Sequence, residues 1–208
     1  MPLPNDEAGD GPALILLHAG IADRTMWAEH LEPLAAPGRH VVAPDLPGFG
    51  EAPVAARDAP WDDVLDTLDA LGIERATFVG NSFGGAVALR VAAIAPERVA
   101  MHVLVSAPPP DHDPSPRLRE RVAAMQRRAF ELQLAAPEPA DWPDPLDETR
   151  TLDVPALVAA GEHDMPDFQG PMAALPHARQ VVIEGAGHLA PLETPEAFRA
   201  LLLDLLAA

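Results

Sequence analysis

The sequence predicts an α/β fold: a mostly parallel central sheet flanked by helices on both faces. Three observations carry that expectation. Short apolar runs alternate with stretches of helical spacing along the 208 residues. The runs are continuously apolar rather than alternating, the mark of strands covered on both faces. The 14 Gly and 25 Pro residues are spread along the chain and punctuate its joins.

Ala13-Leu14-Ile15-Leu16-Leu17 is the first buried strand, bounded by Gly11-Pro12 and Gly20. Asp23 to Leu34 has helix-like spacing and stops before Pro37-Gly38. His40-Val41-Val42-Ala43 is the second strand, ended by Pro44 and the turn Asp45-Leu46-Pro47-Gly48-Phe49-Gly50. Trp61, Val64, Leu65, Leu68 and Leu71 define one face of an amphipathic helix closed by Gly72. Ala76–Val79 is the third strand, and Phe83 to Ala95 a small-residue helix ending before Pro96. Met101–Val105, Pro155–Ala160 and Gln180–Ile183 complete the strands. Thr194-Pro195 reads as an N-cap with proline at the first helical position, opening a last helix through Leu206.

One stretch breaks the alternation. Pro108 to Asp153 is longer than a single crossover needs and is Pro-rich at both ends. Inside it, Leu118, Val122, Met125, Ala129 and Leu132 form one helical stripe beside Arg117, Arg119, Arg121, Arg127 and Arg128. The expectation is a single domain over 1–208 with a small helical cap inserted at about 110–150. An ordinary crossover helix with long loops, its arginines a solvated face, is the competing reading.

Composition narrows the chemistry. There is no Cys, so disulfides, thiolate metal sites and a thiol nucleophile are excluded. All 14 basic residues are Arg, which removes a Schiff-base or P-loop lysine. The net charge of −18 opposes nucleic acid and anionic membranes. No apolar run suits a membrane span, and the acidic N-terminus is unlike a secretory signal, so a cytoplasmic location is expected.

A serine is left as nucleophile, and only Ser82, Ser106 and Ser115 exist. Gly80-Asn81-Ser82-Phe83-Gly84 matches G-x-S-x-G between a predicted strand and helix, the context a nucleophile elbow requires. Side chains at the glycine positions would collide with neighbouring backbone. The helix N-terminus favours negative charge developing at Ser82. A tight Gly turn with an N-capping serine is the bland alternative. Ser106 ends a strand without such glycines, and Ser115 falls in the cap.

Serine needs a base, and His188 lies in the loop Gly185-Ala186-Gly187-His188 after the last strand. The base needs an orienting carboxylate. Asp164, in Gly161-Glu162-His163-Asp164 after another strand, is the candidate, with Glu162 and Asp167 as neighbours that compete. The order Ser82, Asp164, His188 fits this elbow class. Two backbone amides should form the oxyanion hole. One is Phe83. The other comes from His18-Ala19-Gly20-Ile21, where Gly20 is favoured and Ile21 is the fallback. His18 is read as a brace for that loop, since no partner with metal-ligand spacing accompanies it.

These residues resemble the α/β-hydrolase superfamily, through Leu16–Gly20, Pro44–Gly50, Gly80–Gly85, Gly161–Asp164 and Gly185–His188. The likeness is to the branch of small bacterial esterases, enol-lactonases, C–C bond hydrolases and perhydrolases. It implies Ser82 as nucleophile, Asp164 as acid and His188 as base. Three departures stand out. The usual His-Gly is His18-Ala19-Gly20 here. The family's N-terminal antiparallel strands are missing or reduced to Pro2–Gly9, which leaves His40–Ala43 as an exposed edge. The helix within Pro166–Pro176 is abbreviated.

The resulting expectation is a serine hydrolase acting on a small carboxylic ester or lactone, without a cofactor. Met26, Trp27, Phe83, Met165, Phe168 and Leu189 are candidate pocket-lining residues by position. A C–C bond hydrolase or perhydrolase would use the same triad. A hydrolase-like binding or scaffold protein is the alternative from another class. The sheet edge or the cap offers a surface for a homodimer.

Overall fold

The computed structural model describes residues 2–36, 38–54, 59–107, 154–169 and 178–207. The predicted cap at 110–150 lies outside them. The sheet contains β1 (Asn5–Ala8), β2 (Ala13–Leu17), β3 (His40–Pro44), β4 (Ala76–Asn81), β5 (Val99–Val105), β6 (Ala156–Gly161) and β7 (Arg179–Ile183). Their spatial order is β1-β3-β2-β4-β5-β6-β7. All neighbours pair parallel except β1 with β3. The helices are α1 (Leu31–Ala35), α2 (Pro60–Ala70), α3 (Phe83–Ile94), α4 (Pro166–Gln169), α5 (Ala190–Glu193) and α6 (Pro195–Leu205), with 3-10 turns at Arg24–Trp27 and Pro96–Arg98. No described helix is long and apolar enough to cross a membrane.

The continuous apolar strands feed two cores, one on each face of the sheet. Ile15 and Leu17 pack with Trp61, Val64 and Leu68 of α2 and Val87 and Val91 of α3. Leu14 and Leu16 pack on the other side with Trp27, Leu34 and Phe198. Val42 and Leu104 join the first core, while Val41, Ala43, Val103 and Val105 join the second. Successive strand residues point to opposite faces, so a strand with both faces covered must be apolar throughout.

Three expectations are corrected. First, His40–Ala43 is not a sheet edge. β1 pairs antiparallel with it, from Asn5 opposite Pro44 to Ala8 opposite Val41. Asn5-Asp6-Glu7 is too polar to resemble a buried strand, yet β3 supplies the hydrogen-bonding partner, and Glu7 reaches the His40 ring at 2.7 Å. Among the described residues, that edge of the sheet is a single antiparallel strand. Second, the helix expected over Asp23–Leu34 is two short pieces. Pro33 has no N–H, and its ring would clash with the carbonyl four residues earlier, so it is tolerated only in a first helical turn. The chain meets this demand by restarting at Leu31. Third, Thr194 does not cap α6 with its side chain; its hydroxyl bonds the Ala190 carbonyl at 3.3 Å, across the extra turn α5.

The strand order sets the site. The chain steps from β2 outward to β3 and then returns to β4 on the other side of β2. Loops leaving β2 and β4 at their C-terminal ends consequently diverge at this switch point, where such sheets form their binding crevice. Leu17 and Gly80 are register partners there, which brings the loop after β2 against the start of α3.

Candidate active site

Ser82 sits between β4 and α3 with φ 52° and ψ −112°. That left-handed backbone is costly for a residue with a Cβ and persists only where the surroundings enforce it. The enforcement is close packing. A Cβ on Gly80 would overlap the Gly84 carbonyl, and one on Gly84 would overlap the Leu17 carbonyl. These glycines let strand, turn and helix approach as the sequence pattern required. Ser82 makes no side-chain bond to the helix it precedes, which removes the N-capping reading.

The hydroxyl instead meets a histidine. Ser82 Oγ lies 3.0 Å from His188 Nε2, and His188 Nδ1 lies 3.1 Å from Asp164 Oδ1. Asp164 also accepts the Met165 N–H at 2.7 Å. Its carboxylate is buried, with no partner for Oδ2 among the described residues. The three residues come from the C-terminal ends of β4, β6 and β7, and their side chains meet although up to 106 positions apart in sequence. Glu162 turns elsewhere and accepts the Gly185 N–H at 3.0 Å. The Asp167 side chain lies outside the described residues.

An Nδ1–H facing Asp164 leaves the Nε2 lone pair for the serine proton. That tautomer makes the arrangement able to activate a hydroxyl.

The loop after β2 is built around His18. Its Nε2 accepts the Leu46 N–H at 2.8 Å, so its Nδ1–H donates to the Ala19 carbonyl at 2.9 Å. Burial lowers its pKa, against the raising influence of the Ala19 carbonyl, Asp45 and Asp23. The ring is a neutral brace, as expected. The Ala19 N–H points to Met26 Sδ at 3.4 Å, which leaves Gly20 and Ile21 as the loop's candidate amides. Gly20 stands against Phe83, since a Cβ on it would lie 3.3 Å from the Phe83 Cβ. The two amides favoured from sequence thus belong to touching residues.

The lining candidates divide. Trp27 is corrected: it is fully buried in the second core, its ring 6.0 Å from that of Phe198, and presents nothing to a crevice. Met26 is buried and supports the loop through its sulfur. Met165 and Phe168 pack together, and the Phe168 ring lies 4.5 Å from the His188 ring, backing the imidazole. Leu189 is half-buried against the second core. Phe83 is half-buried, its ring 5.9 Å from that of Phe49.

Asn81 had no role assigned from sequence. Its Nδ2 donates to the Val105 carbonyl at 2.9 Å and to the His188 carbonyl at 3.1 Å, joining the serine turn to the histidine loop. The variable position of G-x-S-x-G carries no signal for this. Among the described residues no group of three or more His, Asp or Glu side chains could hold a metal ion.

Comparisons with known proteins follow the same geometry. The stretch Pro12–Asp141, more than half the chain, matches the alpha/beta hydrolase fold family. The chain is 43% identical over 106 residues to 2-hydroxymuconate semialdehyde hydrolase of Pseudomonas sp. (strain CF600), a match covering 48% of this chain and 38% of that protein. The matched stretch therefore spans well under half of that curated relative. Among solved structures, a thermophilic esterase from Thermogutta terrifontis superposes with a TM-score of 0.81 at 28% identity, covering 98% of this chain and 92% of that one. Est816, described as an N-acyl homoserine lactone degrading enzyme, superposes with a TM-score of 0.77 at 26% identity, covering 97% and 95%. With its elbow, its strand order and this match, the chain belongs to the α/β-hydrolase fold family.

Proposed function

We propose that this chain is a serine hydrolase that cleaves a small carboxylic ester or lactone through an acyl-enzyme. The observation that carries the reading is the relay from Ser82 Oγ to His188 Nε2 at 3.0 Å and from His188 Nδ1 to Asp164 Oδ1 at 3.1 Å. Ser82 attacks the carbonyl carbon while His188 takes its proton. Asp164 stabilises the imidazolium that forms. The Phe83 and Gly20 amides receive the negative charge on the carbonyl oxygen. His188 returns the proton to the departing alkoxide, and the acyl group stays on Ser82. Water deprotonated by His188 then releases the acid and regenerates the serine. The likeness to an esterase and to a lactone-degrading enzyme supports this substrate class.

The test is labelling by a fluorophosphonate probe. Wild type is expected to label and Ser82→Ala to remain unlabelled. No labelling of either protein refutes the reading, and labelling of Ser82→Ala moves the nucleophile elsewhere.

A second reading is C–C bond hydrolysis with the same three residues. The 43% identity to 2-hydroxymuconate semialdehyde hydrolase favours it. Turnover of 2-hydroxymuconate semialdehyde measured beside short-chain aryl esters and lactones separates the two.

A further inference from the structure

One carboxylate holds the backbone on both sides of His188. Glu193 Oε2 accepts the Gly187 N–H at 2.8 Å, and Glu193 Oε1 accepts the Leu189 N–H at 2.8 Å. The carbonyl of His188 itself accepts from Asn81 Nδ2 at 3.1 Å. Three successive residues are thus fixed through their main chain by two side chains.

The local fold explains the reach. α5 is a single turn, and the Glu193 N–H bonds back to the Leu189 carbonyl at 2.9 Å. That turn carries the Glu193 side chain back over the start of its own helix, where it accepts the N–H of the N-cap residue Leu189. Gly187 lies so close that a Cβ there would stand 2.7 Å from Glu193 Oε2. These bonds go to backbone and leave the imidazole to its own partners.

The imidazole must satisfy two partners at once, Asp164 at one nitrogen and Ser82 at the other. Both distances pivot on where the His188 backbone sits. A displacement of about 1 Å in a reacting group can cost about 100-fold in rate. We propose that Glu193 is a positioning residue for His188: its carboxylate sets the backbone flanking the imidazole, and with it the approach of Nε2 to Ser82 Oγ. This rests on His188 being the base of the proposed reaction.

A plain structural role and a positioning role differ in what they move. Loss of a structural contact lowers the melting temperature and leaves the turnover of folded protein intact. Loss of positioning lowers kcat and spares KM, because substrate still binds. The variants grade the effect. Glu193→Ala removes both acceptors. Glu193→Gln keeps one acceptor and turns an NH2 group toward the second N–H.

The experiment uses the full chain as wild type, Glu193→Ala and Glu193→Gln. It reads kcat and KM on p-nitrophenyl acetate, the melting temperature, and the proton–nitrogen NMR signals of the His188 ring together with Gly187 and Leu189 amide exchange. In Glu193→Ala, kcat is expected to fall about 10- to 100-fold while KM moves less than about threefold. Glu193→Gln should fall between that variant and wild type. The His188 Nδ1–H signal should broaden, and both amides should exchange faster. A kcat within about twofold of wild type, or an unchanged ring signal in Glu193→Ala, overturns the proposal. If wild type neither turns over p-nitrophenyl acetate nor labels with a fluorophosphonate, the hydrolase reading fails alone. The ring signals of Glu193→Ala then still decide the positioning claim, unchanged signals overturning it and broadened signals supporting it.

Discussion

The carboxylate of Asp164 meets the imidazole of His188 at 3.1 Å, and only the histidine reaches solvent, with 16% of its side chain exposed against none for the acid. The buried partner thus fixes the ring's tautomer from behind while the opposite nitrogen faces Ser82. Asp164→Asn presents an amide to Nδ1 and allows the opposite tautomer, with the proton on Nε2. Labelling of Ser82 by a fluorophosphonate is expected to slow by about 10⁴-fold. The melting temperature measured beside it separates this from unfolding.

His18 uses both ring nitrogens on backbone groups, Leu46 N–H and Ala19 C=O. His18→Phe keeps a ring and strands the Leu46 N–H, while the Ala19 carbonyl retains the Ala22 N–H at 3.0 Å. The expected loss is about 1–3 kcal/mol for the unsatisfied N–H, read from the urea midpoint at constant slope. The same variant should label more slowly, because the Ala19–Gly20 peptide loses its brace.

His102 is buried in β5, its Nδ1 without a partner among the described residues. Burial lowers its pKa from 6.5 to about 4. The unfolded chain therefore takes up a proton as pH falls below 6.5 while the folded chain does not. Stability is unaffected by this group above that pH, declines between pH 6.5 and about 4, and levels off below. The gap corresponds to about 3 kcal/mol at about 1.4 kcal/mol per pH unit. His18 and His30, whose pKa values burial also lowers, act in the same direction. In His102→Leu, unfolding free energies from pH 7 to 4 should decline less steeply; an identical decline refutes this account.

Arg24 joins three elements. Its guanidinium pairs with Asp45, with Asp6 of β1 at 3.2 Å and with Glu51 at 2.8 Å. Asp45 is fully buried and also accepts the Arg24 and Glu51 N–H groups. Burial disfavours the charge on Arg24, but Glu51, Asp45 and Asp6 together raise its pKa. Arg24→Ala strands a buried carboxylate, with an expected loss of about 3–5 kcal/mol by chemical denaturation. The double variant Arg24→Met, Asp45→Asn should lose less than Arg24→Ala, because no uncompensated charge remains.

Much of this molecule is legible in its sequence for definite reasons. Strands covered on both faces must be largely apolar, so Ala13–Leu17 stands out as a run, and Met101–Val105 is legible within β5 although His102 interrupts it. Parallel strands put the residues after Val79, Ala160 and Ile183 at one end of the sheet, so Ser82, Asp164 and His188 converge. What escaped has physical causes too. β1 forms because β3 needs a partner, and Asn5-Asp6-Glu7 carries no apolar pattern of its own. Trp27 follows the β2 loop in sequence, a place that suggests a pocket residue, yet its ring packs into the second core. Met26, Asn81 and Glu193 act on backbone groups, and such bonds depend on the path of the chain rather than on residue type.

The backbone at Ser82 has a consequence for any attempt to improve the protein. Glycine accepts a φ of 52° at little cost, whereas a residue with a Cβ pays roughly 1–3 kcal/mol to stay there. Ser82→Gly therefore relaxes the turn in the same stroke that removes the nucleophile of the proposed reaction. Under that proposal, selection for heat resistance alone would reward a variant without turnover. A screen on this chain must then ask for turnover and stability together, or it will drift away from Ser82.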